Sequence, residues 1–149
     1  MEFAGDPAPR ALLLILAGAG HASAAIFTGV SYRLIAPDAA FLPRLCRLGE
    51  ATCARVLDSP RARIFGVPNS LLGMAYYLAV IGRAIAGVAP AWLMTAYRLV
   101  ALGTVALGAY LSYSLLVVTR VPCVLCFTAH GINLGIALLV WFGAGVGRG

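Results

Sequence analysis

The segment Val121-Pro122-Cys123-Val124-Leu125-Cys126 opens an apolar run that continues to Phe142 and decides how the chain is read. A helix needs roughly 20 apolar residues to cross the bilayer core, so the run places two thiols at the mouth of a membrane helix. Pro suits the first helical position, because the N–H it lacks has no partner there. A cysteine just inside a helix N-terminus feels the positive end of the dipole, which lowers its pKa toward the reactive thiolate. Residues three apart share a helix face, so Cys123 and Cys126 can close a disulfide with each other and present it to one ligand.

The rest of the chain has the same character. Its 149 residues are 62% hydrophobic and only 11% charged, with a mean hydropathy of +0.94. A soluble domain carries about 25% charged residues. Four runs are long enough to span the hydrocarbon core, at about 11–30, 67–89, 99–118 and 121–142. They predict a single domain over 1–149, an all-α membrane protein. The fold expected is a four-transmembrane-helix bundle with a partly helical loop lying over one end. The first run is not read as a cleaved signal peptide. Its n-region carries Arg10 against Glu2 and Asp6, and the apolar stretch continues past Ala22-Ser23-Ala24. A net charge of +6 raises the question of nucleic acid. No basic stripe interleaved with aromatics supports that partner, and membrane flanks explain the charge better.

Helix parity then gathers the cysteines. With four spans, the loop at about 31–66, holding Cys46 and Cys53, lies on the same side as the short turn that leads to Cys123 and Cys126. Both termini lie on the other side. Six arginines in the first loop argue for a cytoplasmic face by the positive-inside rule, whereas cycling dithiols favour an oxidising compartment. Arg10, Arg83, Arg98 and Arg148 keep the opposite side basic too. The redox argument is preferred, and it puts the cysteine face toward the periplasm across an inner membrane, or the ER lumen in a eukaryote.

Within the loop, Asp38 is a candidate cap and Glu50–Asp58 is helix-compatible up to the break at Ser59-Pro60. Its leucines and valines suit a lid along the interface. Asn69 falls in the first turn of the second helix, where it can cap or turn its amide into the bundle. His130 follows Cys126 by four residues and so shares its helix face. An ionisable group in a membrane is a functional candidate by default. Gly131 and Gly135 offer the competing reading of helix packing, which is also favoured for His21. Tyr76, Leu72, Leu111 and Leu125 are candidate walls of a cavity for an apolar ligand. Arg83 and Arg98 read as anchors. Four thiols meet the count for zinc, but a closed charged site beside lipid is disfavoured, and no metal is expected. A static clamp of structural disulfides in a non-catalytic scaffold is the rival from another class.

Taken in order, these residues resemble the vitamin K epoxide reductase family. The resemblance rests on the loop cysteine pair, on Cys53-Ala54-Arg55-Val56-Leu57-Asp58-Ser59, on Phe65-Gly66, on Asn69-Ser70-Leu71-Leu72-Gly73 and on the Cys123–Cys126 motif. It implies that Cys123 and Cys126 are the active-site pair, with Cys126 nearer a quinone of menaquinone, ubiquinone or vitamin K type. It implies a shuttle role for Cys53 and, for Cys46, contact with a thioredoxin-fold partner. Asn69 would hydrogen-bond a quinone carbonyl, and Ser59 would support the reactive cysteines. The implied activity passes electrons from protein thiols to the quinone and supports disulfide formation. The alternative is reduction of vitamin K epoxide or quinone on the same residues. Two departures favour simple quinone reduction. His130 stands where vertebrate members carry Tyr, and only Val67-Pro68 separates Phe-Gly from Asn69, as in bacterial members. No thioredoxin domain is fused, so a separate redox partner is expected.

Overall fold

The computed structural model describes residues 7–36, 39, 56, 59–87, 89–120 and 123–142. Cys46, Cys53, Asp38 and most of the helix-compatible stretch 50–58 lie outside them. Four long helices carry the described chain: α1 (Pro7–Ser31), α2 (Asn69–Ala86), α3 (Ala91–Tyr113) and α4 (Val124–Phe142). A 3-10 turn at Pro60–Ala62 leads into two short strands, β1 (Arg63–Ile64) and β2 (Val67–Pro68), paired antiparallel. This hairpin is a small addition to the helical fold expected. Its two-residue loop is Phe65-Gly66, with φ of 53° and 81°. Positive φ at both central positions is the geometry that matches strand twist in a tight hairpin, and Gly66 meets it at no steric cost.

Helix–helix contacts fix the topology. On α1 and α2, Thr28 donates to Ser70 at 3.0 Å, Gly20 lies against the Tyr77 ring, and Arg10 donates to the Ile85 carbonyl at 3.4 Å. Numbers fall on one helix as they rise on the other, so the two run antiparallel. By the same test α1 is antiparallel to α4, where Phe27 packs on Cys123 and Gly135 faces Leu16. Likewise α3 is antiparallel to α4, where Gly108 faces His130 and Arg98 faces Trp141. The bundle is therefore up-down-up-down. Cys123 sits at the end opposite to Pro7 and Phe142.

In lipid there is no hydrophobic drive between helices, so close packing of small residues and interhelical hydrogen bonds hold a bundle together. Ala17, Gly20 and Ala24 supply that on α1, and Ala101 and Gly108 on α3. A core of Leu13, Ala17, Tyr77, Val80, Ile136 and Val140 joins α1, α2 and α4. Ile15, Ile85, Leu99 and Phe142 point outward and are exposed, as a lipid-facing surface would be.

By length and composition α1, α3 with its extension to Val118, and α4 can each cross a membrane. The shorter α2, 18 residues, is not among them. Asn69, Ser70, Tyr76, Tyr77 and Arg83 dilute its apolar character. Several boundaries differ from the sequence reading, and α1 begins at Pro7 rather than 11. The third helix begins at Ala91 rather than 99, because Arg98 does not interrupt it: its guanidinium lies 5.5 Å from the Trp141 ring centroid, a favourable cation–π placement. The fourth begins at Val124, and Pro122 lies outside the described residues.

Candidate functional site

The start of α4 sets the thiol chemistry. The Cys123 carbonyl accepts the Phe127 N–H at 3.1 Å, which makes Cys123 the residue that caps the helix. Its sulfur takes the place of a capping hydroxyl or carboxylate. The side chain of Cys126, then the N–H groups of Cys126 and Leu125, pull the Cys123 thiol down from the ordinary 9.0 to about 7, against the opposing effect of burial. Cys126 carries a free thiol in this structure. Cys123 is 1% exposed, packed with Phe27 and Leu125.

Cys126 has the different outlook. It lines a cavity of about 310 Å³ walled by all four helices and by Val56, Arg61 and Ala62 from the connecting segment. That is the small end of the range for ligand pockets, sized for a ring more than for a long chain. The cavity brings together Cys126, His130, Asn69, Leu72, Tyr76 and Leu111. It does not bring in Leu125, which is buried beside Cys123, or Ser59, whose hydroxyl donates to the Val56 carbonyl at 2.7 Å.

His130 presses against the α3 backbone. A Cβ on Gly108 would stand 3.0 Å from its Nδ1, so glycine there leaves room for the ring. Both ring nitrogens are buried and meet no hydrogen-bond partner among the described residues. The Ser23 hydroxyl, on the same cavity wall, is in the same condition. Buried polar groups left unpaired cost about 1–3 kcal/mol each. Such groups around an apolar hollow fit a ligand with polar oxygens on an apolar ring.

Sequence reasoning missed Asn133, the partner of Tyr77, a tyrosine that the sequence offers equally as cavity lining or as helix packing. The Tyr77 hydroxyl donates to Asn133 Oδ1 at 2.8 Å, and both line the cavity. The signal was present: Cys126, His130 and Asn133 recur at helical spacing on one face of an otherwise apolar helix. Ser114 and Leu115 were missed too. They belong to a π-helical turn, Ser114–Val118, that ends α3 against the cavity. Such turns concentrate at functional sites, but composition does not announce them.

With this geometry in view, comparison with known families is informative. The vitamin K epoxide reductase family matches residues 11–141, which take in most of α1 and α4, the whole of α2 and α3, and the connecting loop. The chain belongs to that family. It is a membrane oxidoreductase of the vitamin K epoxide reductase kind. No curated protein matches the chain.

Proposed function

We propose that this protein reduces a quinone with electrons drawn from protein thiols, supporting disulfide-bond formation. One observation carries the reading: the cavity-facing thiol of Cys126 shares its hollow with Asn69 and with His130, whose ring nitrogens have no protein partner. A quinone offers two carbonyl oxygens on an apolar ring. Asn69 and His130 would hold those oxygens, and the walls contributed by Leu72, Tyr76 and Leu111 would hold the ring. The quinone supplies the electron sink. The protein's own part is to hold the ring against Cys126 and to donate hydrogen bonds that strengthen as charge builds on oxygen.

Electrons would arrive by thiol–disulfide exchange. A thioredoxin-fold partner would reduce Cys46–Cys53, and Cys53 would attack Cys123. The Cys123 thiol, held low by the Cys126 side chain and then by the amides of the α4 N-terminus, suits the role of leaving group and exchange partner. All four helices would cross the membrane. The support for α2 is its alignment with α1 from Ser70 against Thr28 to Ile85 against Arg10: a helix that pairs with a spanning helix along its length shares its depth. The cysteine end would face the periplasm or ER lumen.

Purified protein supplied with a small dithiol and a short-chain quinone tests the reading. The expected result is thiol-dependent loss of quinone absorbance, abolished by Cys126→Ser. Quinone left unreduced by folded wild-type protein would overturn it.

A further inference from the structure

The far end of the cavity holds a second polar group that quinone binding leaves unexplained. Tyr76 lines the cavity, with its ring centroid 5.5 Å from that of Tyr77 and its hydroxyl beside Thr104. Beyond it, toward the end of the bundle that bears the termini, Tyr97 packs against the core around Tyr76. The Tyr97 hydroxyl is buried and has no hydrogen-bond partner among the described residues. Tyr97 lies near both Tyr76 and Arg83. Arg83, in the last turn of α2, reaches across to α3, where its Nε donates to the Met94 sulfur at 3.2 Å. It is half-buried between helices, unlike an anchor that snorkels into the interface.

The axial spacing is regular. Seven residues separate Tyr76 from Arg83 on α2 and Thr104 from Tyr97 on α3, about 10 Å on each helix at 1.5 Å per residue. Tyr76 and Thr104 therefore share one level, at the cavity, and Arg83 and Tyr97 share the next. Val100, which also lines the cavity, stands one turn from Tyr97. Hydroxyls can donate and accept at once, and polar groups at such depth are costly unless used.

We propose that this file, Arg83–Tyr97–Tyr76, admits the protons that complete quinol from the membrane face bearing the termini. The inference rests on the quinone reading above. Oxidation of a dithiol to a disulfide releases two electrons and two protons at the cysteine face. Reduction of quinone to quinol takes up two electrons and two protons. The overall reaction, dithiol plus quinone giving disulfide plus quinol, balances without net protons. If uptake comes from the opposite face, each turnover moves two protons across the membrane. Tyr97, midway along the file, does not touch the quinone. It is a positioning residue for proton delivery.

The test uses the full chain in sealed proteoliposomes with a pH indicator trapped inside and a short-chain quinone in the bilayer. A charged, impermeant dithiol added outside drives only molecules whose cysteine face points outward. The expected result is alkalinisation of the lumen by about two protons per quinol formed, collapsed by a protonophore. Tyr97→Phe should slow quinol formation about threefold or more, with quinone affinity and melting temperature unchanged, and should lower the protons taken from the lumen per quinol. Quinol formation with no change in lumenal pH would overturn the proposed direction while leaving quinone reduction intact. Unaltered rate and lumenal uptake in Tyr97→Phe would remove Tyr97 from the route. Absence of quinol altogether would sink the quinone reading, and this inference with it.

Discussion

The Tyr77 hydroxyl donates to Asn133 Oδ1 at 2.8 Å, tying α2 to α4 two helical turns beyond Cys126. The ring reaches that position only because residue 20 is glycine. A Cβ at Gly20 would collide with the edge of the Tyr77 ring. Three helices thus meet at one hydrogen bond.

A double-mutant cycle measures this contact. Tyr77→Phe should cost about 1 kcal/mol, the order of an interhelical hydrogen bond in lipid. Gly20→Ala should cost more, because the ring must move. In a Tyr77→Ala background the same Gly20→Ala change should be nearly neutral. Melting temperatures of the purified variants would show it. Strictly additive losses would mean that the ring and Gly20 do not constrain each other.

The capped thiol makes a pH prediction. Cys123 ionises at about 7 in the folded, reduced protein and at an ordinary 9.0 once exposed. Between those values the unfolded chain binds more protons, so stability rises with pH. This contribution is fully present above 9.0 and is lost as pH falls through about 7. Reduced wild-type protein should therefore gain thermal stability from pH 7 to pH 9, and Cys123→Ser should show a flatter profile. Identical profiles would argue that neither the Cys126 side chain nor the α4 amides stabilise a thiolate there.

The order of the electron path can be separated by the choice of donor. Cys126→Ala should abolish quinone reduction yet leave Cys46 and Cys53 able to pair. Cys46→Ala should retain activity with a small dithiol, which can reach Cys123–Cys126 directly, and lose it with a thioredoxin-fold protein. If both donors fail equally in Cys46→Ala, the assigned order of thiols is wrong.

How much of this was written in the sequence differs from one element to another. The apolar runs predicted the four helices, of which α1, α3 and α4 are long and apolar enough to cross lipid. The Cys123–Cys126 spacing placed both thiols at the start of α4. What the sequence concealed depends on partners from distant segments. Arg98 looked like a helix boundary until Trp141 was seen beneath it. Leu125, between the two cysteines, turns into the core with Phe27, since a helix separates neighbours by about 100°. Asn133 gained meaning only when Tyr77, 56 residues earlier in the chain, proved to be its partner.

Orientation is tested by labelling. A membrane-impermeant thiol reagent applied to intact cells or right-side-out vesicles should modify reduced Cys46 or Cys53 from the periplasmic or lumenal side. Six arginines in that loop favour the reverse by the positive-inside rule. Modification confined to samples with the cytoplasmic face opened would show that the arginine count prevails over the redox argument.

His130 is where the chain departs from its family's vertebrate pattern, and the structure makes its role measurable. Its two buried nitrogens have no partner among the described residues, and its ring is held against Gly108. An isolated imidazolium in lipid would be costly, so the ring should work as a neutral donor of one N–H to a quinone carbonyl. His130→Phe should lower turnover or quinone affinity about tenfold, the equivalent of roughly 1.4 kcal/mol for one polar contact. His130→Tyr restores a hydroxyl at that position and should keep more activity than His130→Phe. Gly108→Ala offers an independent approach, since its Cβ would press on Nδ1 at 3.0 Å and tilt the ring without removing it. That variant should weaken quinone binding while leaving Cys46–Cys53 exchange with a partner unchanged. If His130→Phe binds and reduces quinone as well as wild type with an unchanged melting temperature, His130 is a packing residue and Asn69 alone orients the ring.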